Sequence, residues 1–218
     1  MDTVDRARTQ QVCSVLLRYP EESLSDLLPL IGEIVTGLPE EAADPLREIL
    51  DYLTITPLLD IQRHYVETFD MRRKCSPYMT YWTHGDTRNR GMALSHFKGA
   101  YREAGVTIDE EELPDHLAVV LEFAATCDDE LGNALLAEHR GVIGLLHAAL
   151  ADTASPYASV VKAVLETTSA LTSEDEQLMQ RLAVAGPPTE TVGMAGPVDL
   201  TLAPFSVQSS DAAMEARR

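Results

Sequence analysis

Residues 112–125, ELPDHLAVVLEFAA, combine a proline start signal with an apolar helix pattern. Four apolar residues recur at three- and four-residue spacing: Leu117, Val120, Leu121 and Ala124. This spacing places them on one face of an α-helix. Pro114 is expected as the first helical residue, because proline has no N–H to leave unpaired there. Asp115 and His116 then fall in the first helical turn, where a carboxylate stabilises the positive end of the helix dipole.

The same helical period runs outward from this stretch through most of the chain. Helix starts are predicted at six capping or proline signals: Ser23, Asp44–Pro45, Thr56–Pro57, Asp86, Asp128 and Ser155–Pro156. Pro29 should kink or split its helix, whereas the helix that begins at Asp128 should continue through Leu150. Residues 173–176 match a capping box for a last helix, which should end near Val184.

Strands are not expected, because no pair of alternating β-branched runs is joined by a hairpin turn. The sequence therefore predicts a single all-α domain of eight or nine helices over residues 1–185. From Gly186 onward proline, glycine, serine and threonine dominate, and the apolar spacing is lost. Residues 186–218 are predicted to form a disordered tail. Its apolar residues could still dock on the domain: Val198, Leu200, Leu202 and Phe205.

The charge of the chain is strongly negative and unevenly distributed. Its 218 residues include 35 acids against 17 Lys plus Arg, a formal net charge of −18. This balance disfavours general binding to nucleic acid or to anionic membranes and favours basic partners. Residues 63–102 hold eight Lys or Arg and three acids, whereas residues 109–130 hold nine acids and no Lys or Arg. Either the two zones attract each other within the fold, or the acidic zone receives a basic peptide.

Signals for export, membrane insertion and catalysis are missing from the sequence. It has neither an apolar run of eighteen residues nor an N-terminal hydrophobic signal core, which indicates a cytoplasmic protein without stable membrane association. Nucleotide-binding, hydrolase and metal-binding motifs are absent, so neither a metal nor a tightly bound cofactor is expected. Lys74 could lower the pKa of Cys75. A catalytic thiol would also need a histidine partner that the sequence does not locate, so a small helical enzyme is the weaker alternative.

The stretch from Cys75 to Arg90 is dense in aromatic and hydroxyl side chains. Tyr78, Tyr81 and Trp82 are suited to anchoring a loop on the core, with the ring buried and the polar tip hydrogen-bonded. Aromatic side chains in an arginine-rich loop can also stack on single-stranded nucleic acid. The net charge of −18 opposes that interpretation, and no nucleic-acid partner is expected.

Two sets of residues resemble the TorD-like all-helical chaperones of molybdoenzymes. One is Tyr65-x-x-x-Phe69 followed by SPYMTY at residues 76–81, and the other is ELPDHL at residues 112–117. The longer string CSPYMTYWTHGDTRNRGMALSHFKGAYREAG, at residues 75–105, is similar to the nitrate reductase, or NarJ-type, branch of that family. LLRYPEESL at residues 16–24 points to the same branch. The resemblance covers about residues 10–180 in the same order.

The resemblance implies a TorD-like chaperone fold and an assembly chaperone rather than an enzyme. Its client would be the apo catalytic (alpha) subunit of respiratory nitrate reductase, bound at an N-terminal twin-arginine-like segment. The chaperone would keep that subunit competent for insertion of the molybdenum guanine dinucleotide cofactor before membrane attachment, and it would be absent from the finished enzyme. Cofactor biosynthesis proteins are further candidate partners, and the chaperone could be a monomer or a homodimer.

The resemblance, with the acidic run around it, also indicates which residues contact the client segment. These are Glu112, Leu113, Pro114, Asp115, His116, Leu117 and Leu121. A second set should shape the neighbouring loop or make secondary contacts: Tyr65, Phe69, Pro77, Tyr78, Tyr81, Trp82, Asp86 and Arg88. His116 could donate to a backbone carbonyl of the client and change charge near neutral pH, whereas Asp115 could serve the helix start alone. Two other functions stay open, a chaperone for a different molybdoenzyme and a helical adaptor without a cofactor role.

Overall fold

The computed structural model describes residues 1–85, 87–108 and 112–188. Eleven α-helices form in this part of the chain: α1 (Thr3–Leu16), α2 (Leu24–Thr36), α3 (Glu40–Ile55), α4 (Leu58–Tyr65), α5 (Tyr81–His84), α6 (Arg90–Glu103), α7 (Leu117–Thr126), α8 (Asp129–Glu138), α9 (Arg140–Asp152), α10 (Tyr157–Thr167) and α11 (Ser173–Ala185). A π-helical turn at Val66–Asp70 and a 3-10 turn at Arg73–Cys75 follow α4. No β-strand occurs in these ranges, so the predicted all-α class is confirmed.

Helix α1 forms the centre of the core, because it packs against both α7 and α10. Helix α10 packs in turn against α3 and α9, and α8 packs against α7. The Ser14 hydroxyl donates to the carbonyl of Ala118 at 2.8 Å, in a buried contact between α1 and α7. This contact fixes the C-terminal end of α1 beside the N-terminal end of α7, where the candidate site lies.

The start of α3 corrects one sequence prediction. The helix begins at Glu40, directly after Pro39, rather than at Asp44–Pro45, and Pro45 lies inside it. The earlier start is favourable because it places Ala42 and Ala43 on the packed side of the helix, where both are fully buried. Pro29 likewise does not split α2, which runs unbroken, and Ser23 precedes that helix without a side-chain capping bond.

The predicted long helix after Asp128 is divided into α8 and α9 at His139, which is non-helical with φ −103° and ψ 11°. Its start is as predicted, since the Asp128 carboxylate accepts from the N–H of Leu131 at 2.9 Å. The break lets the buried Arg140 donate to the carbonyl of Ser169 at 2.9 Å and pair with Asp175. This break and the short α5 raise the number of helices above the expected eight or nine.

The capping box of the last helix also lies one residue earlier than predicted. The Thr172 side chain accepts from the N–H of Asp175, and the Asp175 carboxylate accepts from the N–H of Thr172. Helix α11 then ends at Ala185, close to the predicted Val184. Threonine caps a helix in the same way as serine, so the sequence offered two adjacent candidates.

Two predictions fall outside the described residues. They are the cap at Asp86 and nearly all of the tail, residues 189–218. Both stay predictions, as does the domain boundary after residue 185. Within the ranges given above, no helix is long and apolar enough to cross a membrane.

Candidate functional site

An open groove of about 620 Å³ lies where the C-terminal end of α1, the start of α2 and residues 112–119 meet. Its walls are mostly apolar and aromatic: Val15, Leu16, Tyr19, Pro20, Leu24, Leu27, Leu53, Tyr65, Tyr78, Leu113, Ala118, Val119 and Tyr157. Three of these side chains stay well exposed, Tyr19 at 48%, Leu27 at 39% and Leu113 at 40%. Large apolar side chains that line a concavity and still face solvent are typical of a docking site.

The rim of the groove carries more negative than positive charge. Glu21 and Glu112 line it and are exposed, whereas Arg18, the one cation in the lining, is paired with Glu122. Burial raises the pKa of Tyr78 in the groove wall, and Asp115, Asp70 and Glu112 add to that rise while Arg90 opposes it. More carboxylates than guanidinium groups therefore act on this wall, and the groove favours a cationic ligand.

Two distant stretches of the chain pair to form one wall of the groove. The N–H of Met79 donates to the carbonyl of Asp115, and the N–H of Leu117 donates to the carbonyl of Pro77, each at 3.0 Å. These bonds form an antiparallel bridge between Tyr78 and His116. The two rings meet edge to face with their centroids 5.1 Å apart. The bridge therefore places both side chains together at the groove.

Asp115 is fully buried behind this wall rather than in the first turn of a helix. Helix α7 begins at Leu117, three residues later than the predicted start at Pro114. One oxygen of the Asp115 carboxylate accepts from the N–H of Thr80 at 3.1 Å, from the Thr80 hydroxyl, and from Arg90 at 3.4 Å. Asp115 thus fixes the loop that carries Tyr78, and in this structure it supports the groove without lining it.

His116 caps α7 and faces the groove. Its Nδ1 accepts from the N–H of Ala118 at 3.1 Å, which places the ring proton on Nε2. Burial lowers the pKa of His116 to about 4, although Asp115 opposes this change. The expectation that His116 changes charge near neutral pH is therefore wrong, because the ring is already neutral well below pH 7. A neutral Nε2–H remains a hydrogen-bond donor.

The predicted client contacts divide into two groups. Glu112, Leu113 and His116 line the groove. Leu117 and Leu121 are fully buried core residues on α7, and Pro114 is buried with its carbonyl accepting from the Tyr101 hydroxyl at 2.7 Å. These buried residues, like Asp115, hold the groove in shape in this structure.

The second predicted set divides in a similar way. Tyr65 and Tyr78 line the groove, and Phe69 lies 4.7 Å from Tyr65 between ring centroids. Tyr81 and Trp82 are buried elsewhere: Tyr81 accepts from Arg73 at 2.7 Å, and Trp82 packs with Val142 and Leu145 on α9. Pro77 contributes the carbonyl of the bridge, and Arg88 is exposed on the loop before α6. Asp86 lies outside the described residues.

Sequence reasoning missed the half of the groove that α1 and α2 form. Tyr19, Glu21 and Leu27 were not among the candidate residues, yet all three line it. The signal that could have found the first two is the string LLRYPEESL at residues 16–24, which carried family resemblance and places an aromatic residue beside a proline just after α1. Leu27 follows on the first turn of α2.

The described residues hold no arrangement suited to metal binding or thiol catalysis. No group of three or more His, Cys, Asp or Glu side chains could hold a metal ion there. Burial raises the pKa of the Cys75 thiol, and the opposing effect of Arg72 is smaller. The interpretation of Cys75 as an activated thiol is therefore wrong, because a raised pKa lowers its thiolate fraction.

A family model described as the nitrate reductase delta subunit matches residues 36–163, more than half of the chain. The chain belongs to the nitrate reductase delta subunit family. The NarJ-type resemblance of residues 75–105 and 112–117 is thereby confirmed. The groove of this family member uses elements outside and inside the matched range, since α1 precedes it and α7 lies within it.

Several relatives of this delta-subunit-family chain have names that refer to nitrate reductase. The nitrate reductase-like protein NarX of Mycobacterium tuberculosis is 43% identical over 157 residues, which cover 72% of this chain and 24% of NarX. The chain thus spans about a quarter of the length of that relative. The probable nitrate reductase molybdenum cofactor assembly chaperone NarJ of Bacillus subtilis is 34% identical over 169 residues, covering 76% of this chain and 90% of NarJ. Escherichia coli NarJ, a nitrate reductase molybdenum cofactor assembly chaperone, is 30% identical over 168 residues, with coverages of 76% and 71%.

The fold also matches a solved structure. A protein of Archaeoglobus fulgidus described as a redox enzyme maturation protein superposes with a TM-score of 0.56 over 73% of this chain and 91% of its own. The two sequences are 23% identical. The likeness shows that the helices of this family member are arranged as in that protein.

Proposed function

We propose that this chain is a cytoplasmic assembly chaperone of respiratory nitrate reductase. It binds the apo alpha subunit at its N-terminal, twin-arginine-like segment and keeps the subunit competent for cofactor insertion before membrane attachment. The names of the Bacillus subtilis and Escherichia coli relatives, which are cofactor assembly chaperones, support this role. The chaperone is not an enzyme and does not remain in the finished complex.

The observation that carries the proposal is the groove with three exposed apolar side chains beside two carboxylates, Glu21 and Glu112. An amphipathic segment that forms a helix on binding can place its apolar residues on Tyr19, Leu27 and Leu113. Its arginines then reach the carboxylates at the rim, where the charge steers the encounter more than it adds affinity. One site can therefore bind both the apolar residues and the arginines of a membrane-targeting segment.

His116 gives this groove a directional contact. Its Nε2–H is neutral at physiological pH and can donate to a carbonyl of the bound segment. The last four carbonyls of a helix lack partners within the helix, so a donor at the groove wall suits the C-terminal end of a bound helix. The Asp115–Thr80 contact keeps this wall in place.

The proposed link to the cofactor is indirect. The client receives the molybdenum guanine dinucleotide cofactor, and the chaperone assists by holding the client open, without binding the cofactor tightly itself. A groove between helices suits this task, because it can hold a terminal segment while the rest of the client stays accessible.

Affinity capture from nitrate-respiring cells, followed by mass spectrometry, tests the choice of client. The tagged full-length chain should capture the nitrate reductase alpha subunit more than any other protein. Capture of another molybdoenzyme subunit in its place would assign a different client. Captured proteins that include no molybdoenzyme subunit would favour the alternative function, a helical adaptor without a cofactor role.

Titration calorimetry tests the choice of site. A peptide of the alpha subunit's N-terminal residues should bind the full-length chain, and Leu113→Ser together with Glu112→Gln should weaken binding by about tenfold or more. The matched control is Leu171→Ser with Glu174→Gln, an apolar and an acidic surface residue away from the groove. Equal affinity of both double variants would overturn the site assignment.

A further inference from the structure

We infer that residues 198–218 of this chain bind in the groove when the client is absent, so that the client must displace them. This inference rests on the proposed function, because it concerns regulation of the same groove. It replaces the expectation of a wholly solvated tail for these residues. The groove is open in the described part of the chain, and three large apolar side chains at its edge lack full cover there.

The first observation is the point from which the tail leaves the domain. The carbonyl of Pro188 lies against Gly85, so closely that a Cβ on Gly85 would be 1.8 Å from the Pro188 oxygen. Gly85 has a positive φ of 57° and ends α5, seven positions after Tyr78 in the groove wall. The tail therefore begins on the same loop that forms one side of the groove.

The second observation is the length of chain between this anchor and the apolar part of the tail. Nine residues, 189–197, separate Pro188 from Val198. Nine extended residues reach up to about 30 Å, whereas the seven residues from Tyr78 to Gly85 can span no more than about 25 Å. Val198 can thus reach the groove from where the tail starts. A linker of this length gives its attached segment an effective concentration of the order of millimolar.

The third observation is the pattern of the tail sequence itself. VDLTLAPFSV, residues 198–207, supplies five large apolar side chains within ten positions and a single acid, Asp199. Arg217 and Arg218 are the only Lys or Arg after Arg181. Residues 198–218 also hold three acids, Asp199, Asp211 and Glu215, so the segment is not cationic as a whole. Its apolar stretch therefore carries the match to the groove, and its two arginines can pair with Glu21 and Glu112 at the rim.

A second groove, of about 640 Å³ between α2 and α3, suits the tail less well. Arg47 in its lining is paired with Glu40 and Asp44, and neither Tyr78 nor His116 is among its described lining residues. Among its described lining residues Asp51 is the one exposed carboxylate, whereas the first groove has both Glu21 and Glu112. The groove between α1, α2 and residues 112–119 is therefore the one assigned to the tail.

Photo-crosslinking of the full-length chain tests where the tail lies. With p-benzoylphenylalanine in place of Phe205, crosslinks within one chain should reach residues 15–27 or 112–119, and excess client peptide should suppress them. Three results would each overturn the inference. They are crosslinks to the α2–α3 groove, crosslinks only between two copies of the chain, and no crosslinks to the helical domain. This readout needs no client, so it does not depend on the proposed function.

Client affinity provides the second test, again in the full-length chain. Leu200→Ser with Leu202→Ser and Phe205→Ser should tighten binding of the client peptide by about tenfold, because a competing segment is removed. Val192→Ser with Met194→Ser is the matched control and should leave the affinity unchanged. Unchanged affinity in the triple variant would overturn the inference while leaving the proposed function in place. Failure of the peptide to bind any of these chains would count against the proposed function instead.

Discussion

Asp115 and Thr80 are 35 positions apart in the sequence, yet the Asp115 carboxylate accepts from both the N–H and the hydroxyl of Thr80. Arg90 approaches the same carboxylate oxygen at 3.4 Å. These contacts join the loop that carries Tyr78 to the entry of α7. The support behind this groove wall is therefore a buried polar cluster rather than continuous apolar packing.

We predict that Asp115→Asn lowers the free energy of unfolding by about 2–3 kcal/mol, because it breaks the buried charged pair with Arg90 and weakens the bonds that the carboxylate accepts from Thr80. Urea denaturation monitored by circular dichroism measures the loss. Asp44→Asn is the matched control, since Asp44 pairs with Arg47 at the surface. This substitution should lower the free energy of unfolding by less than about 1 kcal/mol. A smaller loss for Asp115→Asn than for this control would contradict the role of Asp115 as an anchor.

His116 should make stability depend on pH. Its folded pKa of about 4 lies below the ordinary 6.5, so between these values the unfolded chain binds a proton that the folded protein does not. The contribution of His116 to the free energy of unfolding is fully present above pH 6.5 and is lost as the pH falls towards 4. His116→Asn keeps an oxygen that can cap α7 but cannot titrate. It should reduce the slope of unfolding free energy against pH by up to about 1.4 kcal/mol per unit.

Unfolding curves at several pH values between 4.5 and 7.5, in steps of about half a unit, measure this slope. An NMR titration of the His116 ring protons checks the folded pKa directly. Identical slopes for the two proteins would show that His116 is not the group responsible.

Leu27→Asp should weaken client binding strongly and leave folding intact. Leu27 lines the groove and is 39% exposed, so a carboxylate there removes apolar contact without burying a charge. Leu59→Asp is the matched control, because Leu59 is an exposed leucine that does not line the groove. Fluorescence anisotropy with a labelled client peptide should show a loss of at least about tenfold for Leu27→Asp alone. Similar losses in both variants would mean that added charge, not the position, weakens binding.

Gly132→Ala should destabilise the packing of α8 on α7. A Cβ at Gly132 would lie 2.3 Å from the Cα of Ala124, which is backbone and cannot turn aside. We expect a loss of about 1–3 kcal/mol from this overpacking, although alanine is otherwise the better helix former. Gly99→Ala in α6 meets nothing within 4 Å and should stabilise the protein by up to about 1 kcal/mol. Thermal unfolding of both variants distinguishes the two positions, and stabilisation in both would contradict the close contact.

The sequence predicted the helical faces well, because a local period is enough to define them. Leu117, Val120, Leu121 and Ala124 are all buried on α7, as their spacing indicated. The entry to α7 was misplaced at Pro114, because the bonds that hold Asp115 and Leu117 come from residues 77–80, far away in the sequence. The same distance effect applies at the groove, where Leu27 acquires its role only when folding brings α2 and residues 112–119 to the same groove. A single sequence does not show such pairings.

The groove draws on residues from Val15 to Tyr157, so most of the chain must exist before it can form. A ribosome adds about 5–20 residues per second, so Tyr157 is added about seven to thirty seconds after Val15. Until then a nascent chain has α1 and α2 but lacks the opposite wall, and it offers a client nothing to hold. Under the proposed function, competence to bind therefore comes late in translation, and half-made copies of this chain do not compete for the client.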